Sequence, residues 1–355
     1  MTRTANQEVR VGFARLRAFI AEGLARAGLP AEDAGKVATL MAQADLQGSD
    51  GHGVIRLPQY VRRIQAGGIN LRPQFKVVEE RAAMAVLDGD NGMGHLVMSH
   101  AVDLAMAKAK QAGVGWVGAR HSNHAGPASL YVQKPVEAGM IALYFAVGNA
   151  NHLPPWGGMD MLLSTNPLAV GIPAGSEPPV VLDMATTVAA YGKVKAKAKK
   201  GESLPLGWMI DRQGQPLTDP ARAEEGFLLP IGGHKGYGLA LIVGLLAGTL
   251  NGAAMGRDVV DFNHDDSTPT NTGQAVLVLD LSAFAPPAVF KAAVDRLVQD
   301  LRGSERLPGV ERIWLPGEQS HLRRERYAEQ GIPIAPGLVQ ELERLAQQLG
   351  MAPLA

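Results

Sequence analysis

The chain has 355 residues, of which 46% are hydrophobic, and its 34 basic and 34 acidic side chains leave no formal net charge. A balanced charge creates no global field that would attract nucleic acid or an acidic membrane surface, so a small-molecule partner is favoured. The chain contains no cysteine, which excludes disulfides, thiolate metal sites and thiol nucleophiles.

The hydropathy of the sequence indicates neither a signal peptide nor a membrane-spanning segment. Residues 1–19 carry charges throughout and lack the apolar core of a signal peptide. The longest apolar run, residues 236–250, is shorter than the roughly 20 residues that cross a bilayer. We therefore expect a cytoplasmic protein that has no membrane partner and no nucleic-acid partner.

Apolar residues at three- and four-residue spacing predict two helices within the first 47 residues. From about residue 80, short apolar runs alternate with helical stretches, which is typical of a mixed α/β domain. The predicted strands are 84–87, 114–117, 141–147, 169–172, 180–182, 208–210 and 275–281. The further predicted helices are 94–112, 187–199, 235–250, 287–302 and 336–349.

Two short stretches carry a histidine beside or near glycine, DGHGVIRLP at 50–58 and SNHAG at 122–126. Glycine lets a ligand approach the backbone closely, and His52 is followed four residues later by Arg56. Because four residues make about one helical turn, these two side chains can face the same ligand. An imidazole that moves a proton and a guanidinium that holds a carboxylate suit chemistry on a small organic acid.

The usual nucleotide motifs are absent. Residues 89–94, GDNGMG, reverse the glycine spacing of the dinucleotide-binding fingerprint, and no phosphate-binding loop with a Lys-Ser/Thr end occurs. The loop LPIGGHKGYG at 229–238 precedes an apolar helix and contains Lys235, so it fits either a phosphate cradle or an ordinary turn. Asp183 at a strand-to-helix junction is likewise either a helix cap or a functional residue.

Taken together, these stretches match one family in order and in wording. The chain resembles the malate/L-lactate dehydrogenase type 2 family, which includes malate, sulfolactate and ureidoglycolate dehydrogenases and cyclic-imine reductases. The resemblance extends from residues 44–46 to residues 315–318. It is carried by GHGVIRLPQY, SNHAGPASLY, PWGG with STNPLAVGIP, VLDMATT with YGK, GWMID with PLTDP, LLPIGGHKGYGLAL and LPGE.

The resemblance implies an oxidoreductase that uses NAD or NADP through a non-Rossmann fold and forms a homodimer. A helical, substrate-side domain from residues 1–75 and 285–355 would enclose a mixed α/β cofactor domain, residues 76–284. His52 and His124 would line the reacting centre as catalytic groups, with Arg56 and Thr165 binding the substrate carboxylate alongside His52. The implied cofactor contacts are His124, Ala125, Gly126, Pro127, Ala128, Asp183, Met184, Ala185, Lys235, Pro316, Gly317 and Glu318.

Two departures from the family pattern bear on the substrate. Gly51 replaces the serine that usually precedes the first histidine, and Lys193 occupies the place of a carboxylate described in the cyclic-imine reductases. A relay through those two positions to His52 cannot form, which favours 2-hydroxy acid or 2-oxo acid chemistry and makes His124 the stronger acid/base candidate. A histidine of near-neutral pKa can move the hydroxyl proton while hydride leaves C2 for the nicotinamide.

Three alternatives remain at this point. One is a reductase of a cyclic imine carboxylate, and another is a non-catalytic acid-binding protein. The third is a metal hydrolase built on His52, His121 and His124, although no acidic ligand at matching spacing complements them, so we expect no metal. We also single out His152 as a candidate specificity residue and interpret the basic run as a solvated helix face. That run comprises Lys193, Lys195, Lys197, Lys199 and Lys200.

Overall fold

The computed structural model describes residues 9–354, with the side chains of residues 199 and 200 outside the description. The description therefore leaves out the first eight residues and the last residue of the predicted helical domain. It also leaves out the side chains of two lysines of the basic run.

Ten α-helices and eleven strands are formed within the described residues. The helices are α1 (Phe13–Arg26), α2 (Ala31–Leu46), α3 (Leu57–Gln65), α4 (Gly94–Ala112), α5 (Leu130–Glu137), α6 (Tyr191–Lys200), α7 (His234–Ala247), α8 (Pro287–Gly303), α9 (Glu318–Gln330) and α10 (Pro336–Leu349). The strands are β1 (Val9–Val11), β2 (Lys76–Arg81), β3 (Met84–Asp88), β4 (Val114–Ser122), β5 (Ile141–Ala146), β6 (Leu168–Ile172), β7 (Val180–Met184), β8 (Met209–Asp211), β9 (Gly226–Leu228), β10 (Thr272–Leu279) and β11 (Ile332–Ile334).

The central feature is a seven-stranded mixed sheet in the order β2-β3-β4-β10-β5-β6-β7. β3 and β4 are parallel and are connected through α4, whereas every other neighbouring pair is antiparallel. Helix α4 packs against the sheet through an alanine- and valine-rich face, which allows close helix-to-sheet contact, and α5 packs against it through larger apolar side chains. The predicted mixed α/β architecture is confirmed.

A second hydrophobic core joins the two ends of the chain. It is built by α1, α2, α3 and α10, and the two-stranded pairing of β1 with β11 ties the N-terminal segment to the C-terminal one. Met93, Leu96 and Phe262 of the central segment also enter this core. Helix α8 is attached to the loop after β6, where Asp295 accepts backbone hydrogen bonds from Gly175 and Ser176. The predicted domain boundaries stay a prediction.

Strongly patterned segments were predicted well, and weakly patterned ones were missed. Helices α1, α2, α4, α7, α8 and α10 form where expected, while α6 begins at Tyr191 rather than at residue 187. The chain also forms β2, whose six residues are all exposed, and α5, which contains Pro135. No helix among residues 9–354 is long and apolar enough to cross a membrane.

Candidate active site

A cleft of about 1010 Å³ is lined by residues from both hydrophobic cores and from the edge of the large sheet. This volume lies at the upper end of the roughly 300–1,000 Å³ typical of small-molecule sites, so the cleft has room for an extended ligand. It brings together most of the predicted residues, namely His52, Arg56, His124, Ala125, Gly126, Pro127, Ala128, Thr165, Asp183, Met184, Ala185, Pro316 and Gly317.

The two predicted catalytic histidines are in direct contact. Nδ1 of His52 lies 3.2 Å from Nε2 of His124, and the two rings are stacked with an interplanar angle of 12°. His52 lies in a turn whose backbone is fixed by the buried Asp45 carboxylate, which accepts a 2.7 Å hydrogen bond from the amide of Val54. A Cβ at Gly53 would collide with that carboxylate. The motif therefore needs glycine after His52 for steric reasons.

Tyr60 extends this pair to a chain of three groups. Its hydroxyl lies 2.5 Å from Nδ1 of His124, so the order is Tyr60, His124, His52. Tyr60 was not among the predicted site residues, although it closes the first motif and stands four residues after Arg56 on α3. Its partner His124 is 64 residues away along the chain, so only helical spacing within the motif could have pointed to it.

Burial sets the protonation states of Tyr60, His124 and His52. It lowers the pKa of His52 to about 4, with a smaller contribution from the positive charge of Arg56. It also lowers the pKa of His124 well below its usual value and raises the pKa of Tyr60 above its usual value. All three groups are therefore neutral near pH 7. Each neutral ring has one N–H and one lone pair, so a proton can be passed along the chain in either direction.

Arg56 is oriented by neutral acceptors. Its Nε donates to the carbonyl of Gly51 at 2.8 Å and Nη1 donates to Oε1 of Gln59 at 2.9 Å. Among the ion pairs of the described residues, none involves Arg56. A guanidinium that lines a cleft without a carboxylate partner retains its capacity to bind the carboxylate of a ligand.

Phe262 forms the wall beside the histidines. Its ring stacks on His124 with a centroid distance of 5.2 Å and an interplanar angle of 23°. Gln59 Nε2 donates to the Phe262 carbonyl at 2.7 Å. The fully buried Arg63 donates to the carbonyls of Asp265 and Thr268 in the same loop. Phe262 was missed by the sequence analysis because its segment shows only the composition of a polar loop.

Thr165 and Asp183 also line the cleft. The Thr165 carbonyl accepts hydrogen bonds from the amide and the hydroxyl of Thr186 at 2.9 and 2.8 Å. Oδ2 of Asp183, near the end of β7, accepts a 2.9 Å hydrogen bond from the amide of Ser129, and burial raises the pKa of this carboxyl. These bonds fix the backbone on both sides of the cleft.

The turn at Pro316 and Gly317 lines the same cleft and is bonded to β7. The Val181 amide donates to the Pro316 carbonyl at 3.1 Å. Gly317 has φ +86°, and a Cβ there would lie 2.8 Å from the Val181 carbonyl oxygen. Glycine is therefore needed here for the close packing of the turn on β7, where α9 begins.

Two predicted cofactor residues do not line the cleft. Lys235 is exposed in the first turn of α7, outside the residues that form the cleft wall. Glu318 is buried, but its carboxylate pairs with Arg302 and Arg312 and accepts a hydrogen bond from the Leu315 amide.

The three histidines of the metal-site alternative do not converge. Nδ1 of His121 bonds to Oδ2 of Asp88 at 2.9 Å, whereas His52 and His124 contact each other in the cleft. Within residues 9–354, no three His, Asp or Glu side chains are arranged to hold a metal ion.

Comparison with known proteins supports this description. A sequence model of the malate/L-lactate dehydrogenase family matches residues 11–343. The chain is 38% identical to a malate dehydrogenase of Pyrococcus horikoshii over 97% of its own length and 96% of the relative. A solved structure of malate dehydrogenase from that organism superposes with a TM-score of 0.89 at 36% identity, covering 98% of this chain and 97% of the other.

Two further relatives differ in the reaction that their names state. A ureidoglycolate dehydrogenase (NAD(+)) of Escherichia coli O157:H7 is 33% identical over 92% of this chain and 93% of its own. A Δ1-pyrroline-2-carboxylate reductase of Ancylobacter novellus is 32% identical over 96% of this chain and 98% of its own. The family resemblance and the fold predicted from the sequence are confirmed. The chain belongs to the malate/L-lactate dehydrogenase family and is an oxidoreductase acting on small acids.

Proposed function

We propose that the protein transfers a hydride between C2 of a small 2-hydroxy acid, or its 2-oxo form, and a nicotinamide cofactor, NAD or NADP. The observation that carries the proposal is the hydrogen-bonded series Tyr60, His124, His52, whose two histidines line one cleft with Arg56, a residue that forms no ion pair within the described part of the chain. A proton-transfer chain beside a carboxylate-binding group is what oxidation of a 2-hydroxy acid requires.

The side chains divide the work as follows. Arg56 binds the substrate carboxylate through its unengaged N–H groups, and Thr165 adds a hydrogen bond from its hydroxyl. During oxidation, Nε2 of His52 takes the proton of the C2 hydroxyl while its Nδ1 passes a proton to Nε2 of His124, so His124 is the final base; both transfers reverse during reduction. The hydrogen bond between Tyr60 and Nδ1 holds the imidazole of His124 in place. General acid–base assistance of this kind is worth about 10²–10⁴ in rate.

The nicotinamide, when bound, supplies the hydride acceptor or donor. The residues that would hold the cofactor are those lining the cleft from His124 to Ala128, from Asp183 to Ala185, and at Pro316 and Gly317. The cleft volume of about 1010 Å³ supports the fit of this path to an extended nucleotide. Lys235 and Glu318 lie outside the cleft wall and are not part of the proposal.

The alternative of cyclic-imine reduction is supported by the similarity to a pyrroline carboxylate reductase. Two residues argue against it. Gly51 provides no hydroxyl next to His52, and the cleft wall at α6 carries Lys193 rather than a carboxylate. A protonated imine is a cation, so a lysine at this wall disfavours its binding.

The test is a substrate panel followed by nicotinamide absorbance. The panel contains short 2-oxo acids and Δ1-pyrroline-2-carboxylate, each with NADH and with NADPH. We expect turnover of the 2-oxo acids, loss of turnover in His124→Ala, and unchanged turnover in the control His121→Ala, whose ring lies outside the cleft. Faster turnover of the imine, or no oxidation of either cofactor, would overturn the proposal.

We further propose that the active form is a homodimer. Helix α7 presents Leu239, Ile242 and Leu245, which are 37–52% exposed at three-residue spacing. An exposed stripe without charges marks an interaction surface and is complementary to a second copy of itself across a two-fold axis. Light scattering should give twice the mass of the chain, and Ile242→Glu should give a monomer. A monomeric wild-type protein would refute the homodimer.

The cytoplasmic location stays a prediction.

A further inference from the structure

Helix α6 brings an unusual group of side chains to the same cleft. The ring of His152 stacks on the ring of Tyr191 with a centroid distance of 4.1 Å and an interplanar angle of 14°. The ammonium of Lys195 lies 5.3 Å from the centroid of Tyr191. All three residues line the cleft together with Arg56 and His124. None of them has a role in the proton chain.

This group lies beside the reacting histidines. The segment that leads to His152 is joined to the Phe262 loop, because the Phe262 amide donates to the Asn149 carbonyl at 2.9 Å. Phe262 in turn stacks on His124. The turn at Pro316, by contrast, is bonded to Val181 of β7. The segment that contains His152 is thus connected to the wall beside His124, whereas the Pro316 turn is connected to β7.

The charges of the group favour an anion. Lys195 makes no ion pair among the described residues, whereas Lys197 on the same helix pairs with Glu202 at 3.0 Å. His152 is neutral near pH 7, because burial lowers its pKa to about 4 and so leaves it as a hydrogen-bonding group. Asp261, the carboxylate whose charge acts on His152, is engaged by His264 and Asn263.

We infer that Lys195, with His152 and the Tyr191 ring that positions both, forms a second anion subsite for the end of the substrate opposite Arg56. The inference rests on the proposed function and makes it more specific. The preferred substrates are 2-hydroxy diacids and their 2-oxo forms, in which one carboxylate is bound by Arg56 and the other anionic group by Lys195. A hydrogen bond between the Lys195 ammonium and a ligand anion is stronger than one between neutral groups, because both partners are charged.

A matched substrate pair tests the subsite. Oxaloacetate and 2-oxobutyrate have the same number of carbons and differ in the distal carboxylate. We expect the wild-type protein to favour oxaloacetate in kcat/KM. Because a hydrogen bond to a charged group contributes about 1.5–3 kcal/mol, we expect Lys195→Met to reduce this preference by about 10- to 100-fold through KM. The kcat/KM for 2-oxobutyrate should stay unchanged. Lys197→Met is the control on the same helix and should behave as wild type.

Each failure has its own signature. If the wild-type protein favours 2-oxobutyrate, or if Lys195→Met lowers kcat/KM for both acids equally, the subsite is refuted while the proposed function stands. If neither acid is reduced and the cyclic imine is, the proposed function itself fails. A thermal unfolding midpoint equal to that of wild type shows that Lys195→Met is folded, so an unchanged preference in that variant also refutes the subsite.

Discussion

The substitution Tyr60→Phe tests the proton chain most directly. It removes one oxygen atom from a side chain that is 1% exposed and leaves the ring, with its contacts to His95 and Phe262, in place. Nδ1 of His124 then loses its 2.5 Å partner in a site where burial restricts replacement by water. Leaving a buried polar atom without a partner costs about 1–3 kcal/mol.

The effect should appear in kcat. Because Tyr60 acts on the imidazole and touches neither end of the substrate, the loss falls on the step in which His124 moves a proton. At about 1.4 kcal/mol per tenfold change in rate, the expected decrease is about 5- to 150-fold in kcat, with KM for the acid and for the cofactor little changed.

The assay is steady-state turnover across pH 5–9, with Tyr327→Phe as a control that removes a hydroxyl from the helical core. The pH at which kcat changes should shift in Tyr60→Phe, since loss of a hydrogen-bond partner at Nδ1 alters the relative stability of the neutral and protonated imidazole. A variant with wild-type kcat and an unshifted pH profile would refute the relay. A loss confined to KM would show that Tyr60 contacts substrate instead.

Four further outcomes are expected. Arg56→Ala should raise KM for the acid by about 100-fold with a smaller change in kcat, since it removes a charged hydrogen-bonding partner of the carboxylate; an unchanged KM would contradict the assignment. His124→Ala should lose turnover yet still quench or shift nicotinamide fluorescence on binding, and near-normal kcat would transfer the acid/base role to another group. Arg63→Lys should lower kcat and should also lower the free energy of unfolding by about 1–3 kcal/mol, because it breaks carbonyl contacts that hold the Phe262 loop. An unfolding curve in urea equal to that of wild type would contradict this. Burial lowers the pKa of His95 to about 3, so between about pH 3 and pH 6.5 the unfolded chain binds a proton that the folded chain does not. The free energy of unfolding therefore falls as pH decreases through this window. In urea titrations, His95→Phe should reduce the slope of this free energy against pH by up to about 1.4 kcal/mol per pH unit, and an identical slope would contradict the assignment.

The accuracy of the sequence predictions followed the strength of the hydrophobic pattern. Helix α4 was predicted at its observed bounds because alanine, valine and leucine recur on the face that packs against the sheet. Helix α9 was missed because its sequence, EQSHLRRERYAEQ, is polar on nearly every face and buries only Glu318. Strand β2 was missed because edge pairing with β3, rather than burial, makes it a strand. Local sequence does not contain the information on such tertiary partners.

The same limit applies to the site. His52, Arg56 and His124 were predicted because each stands in a motif whose residue types suit acid chemistry, and the structure brings them to one cleft. Phe262 carries no such signal, since its role comes from a stacking contact with a histidine 138 positions earlier in the chain. Glu318 stands in a motif, yet its carboxylate is engaged by two arginines, so motif position alone did not reveal which way the side chain faces.

Helix α3 explains why the reacting groups are held so closely. Residues spaced by three and four positions share a helix face, and on α3 this face is formed by Gln59, Tyr60 and Arg63, directly after Arg56. Gln59 receives a hydrogen bond from Arg56 and donates one to the Phe262 carbonyl, while Tyr60 contacts His124. One rigid helix therefore sets the distance between the carboxylate-binding guanidinium and the proton-transfer imidazole. Fixing that distance before substrate arrives reduces the entropy lost on reaching the transition state, so orientation contributes to catalysis alongside proton transfer.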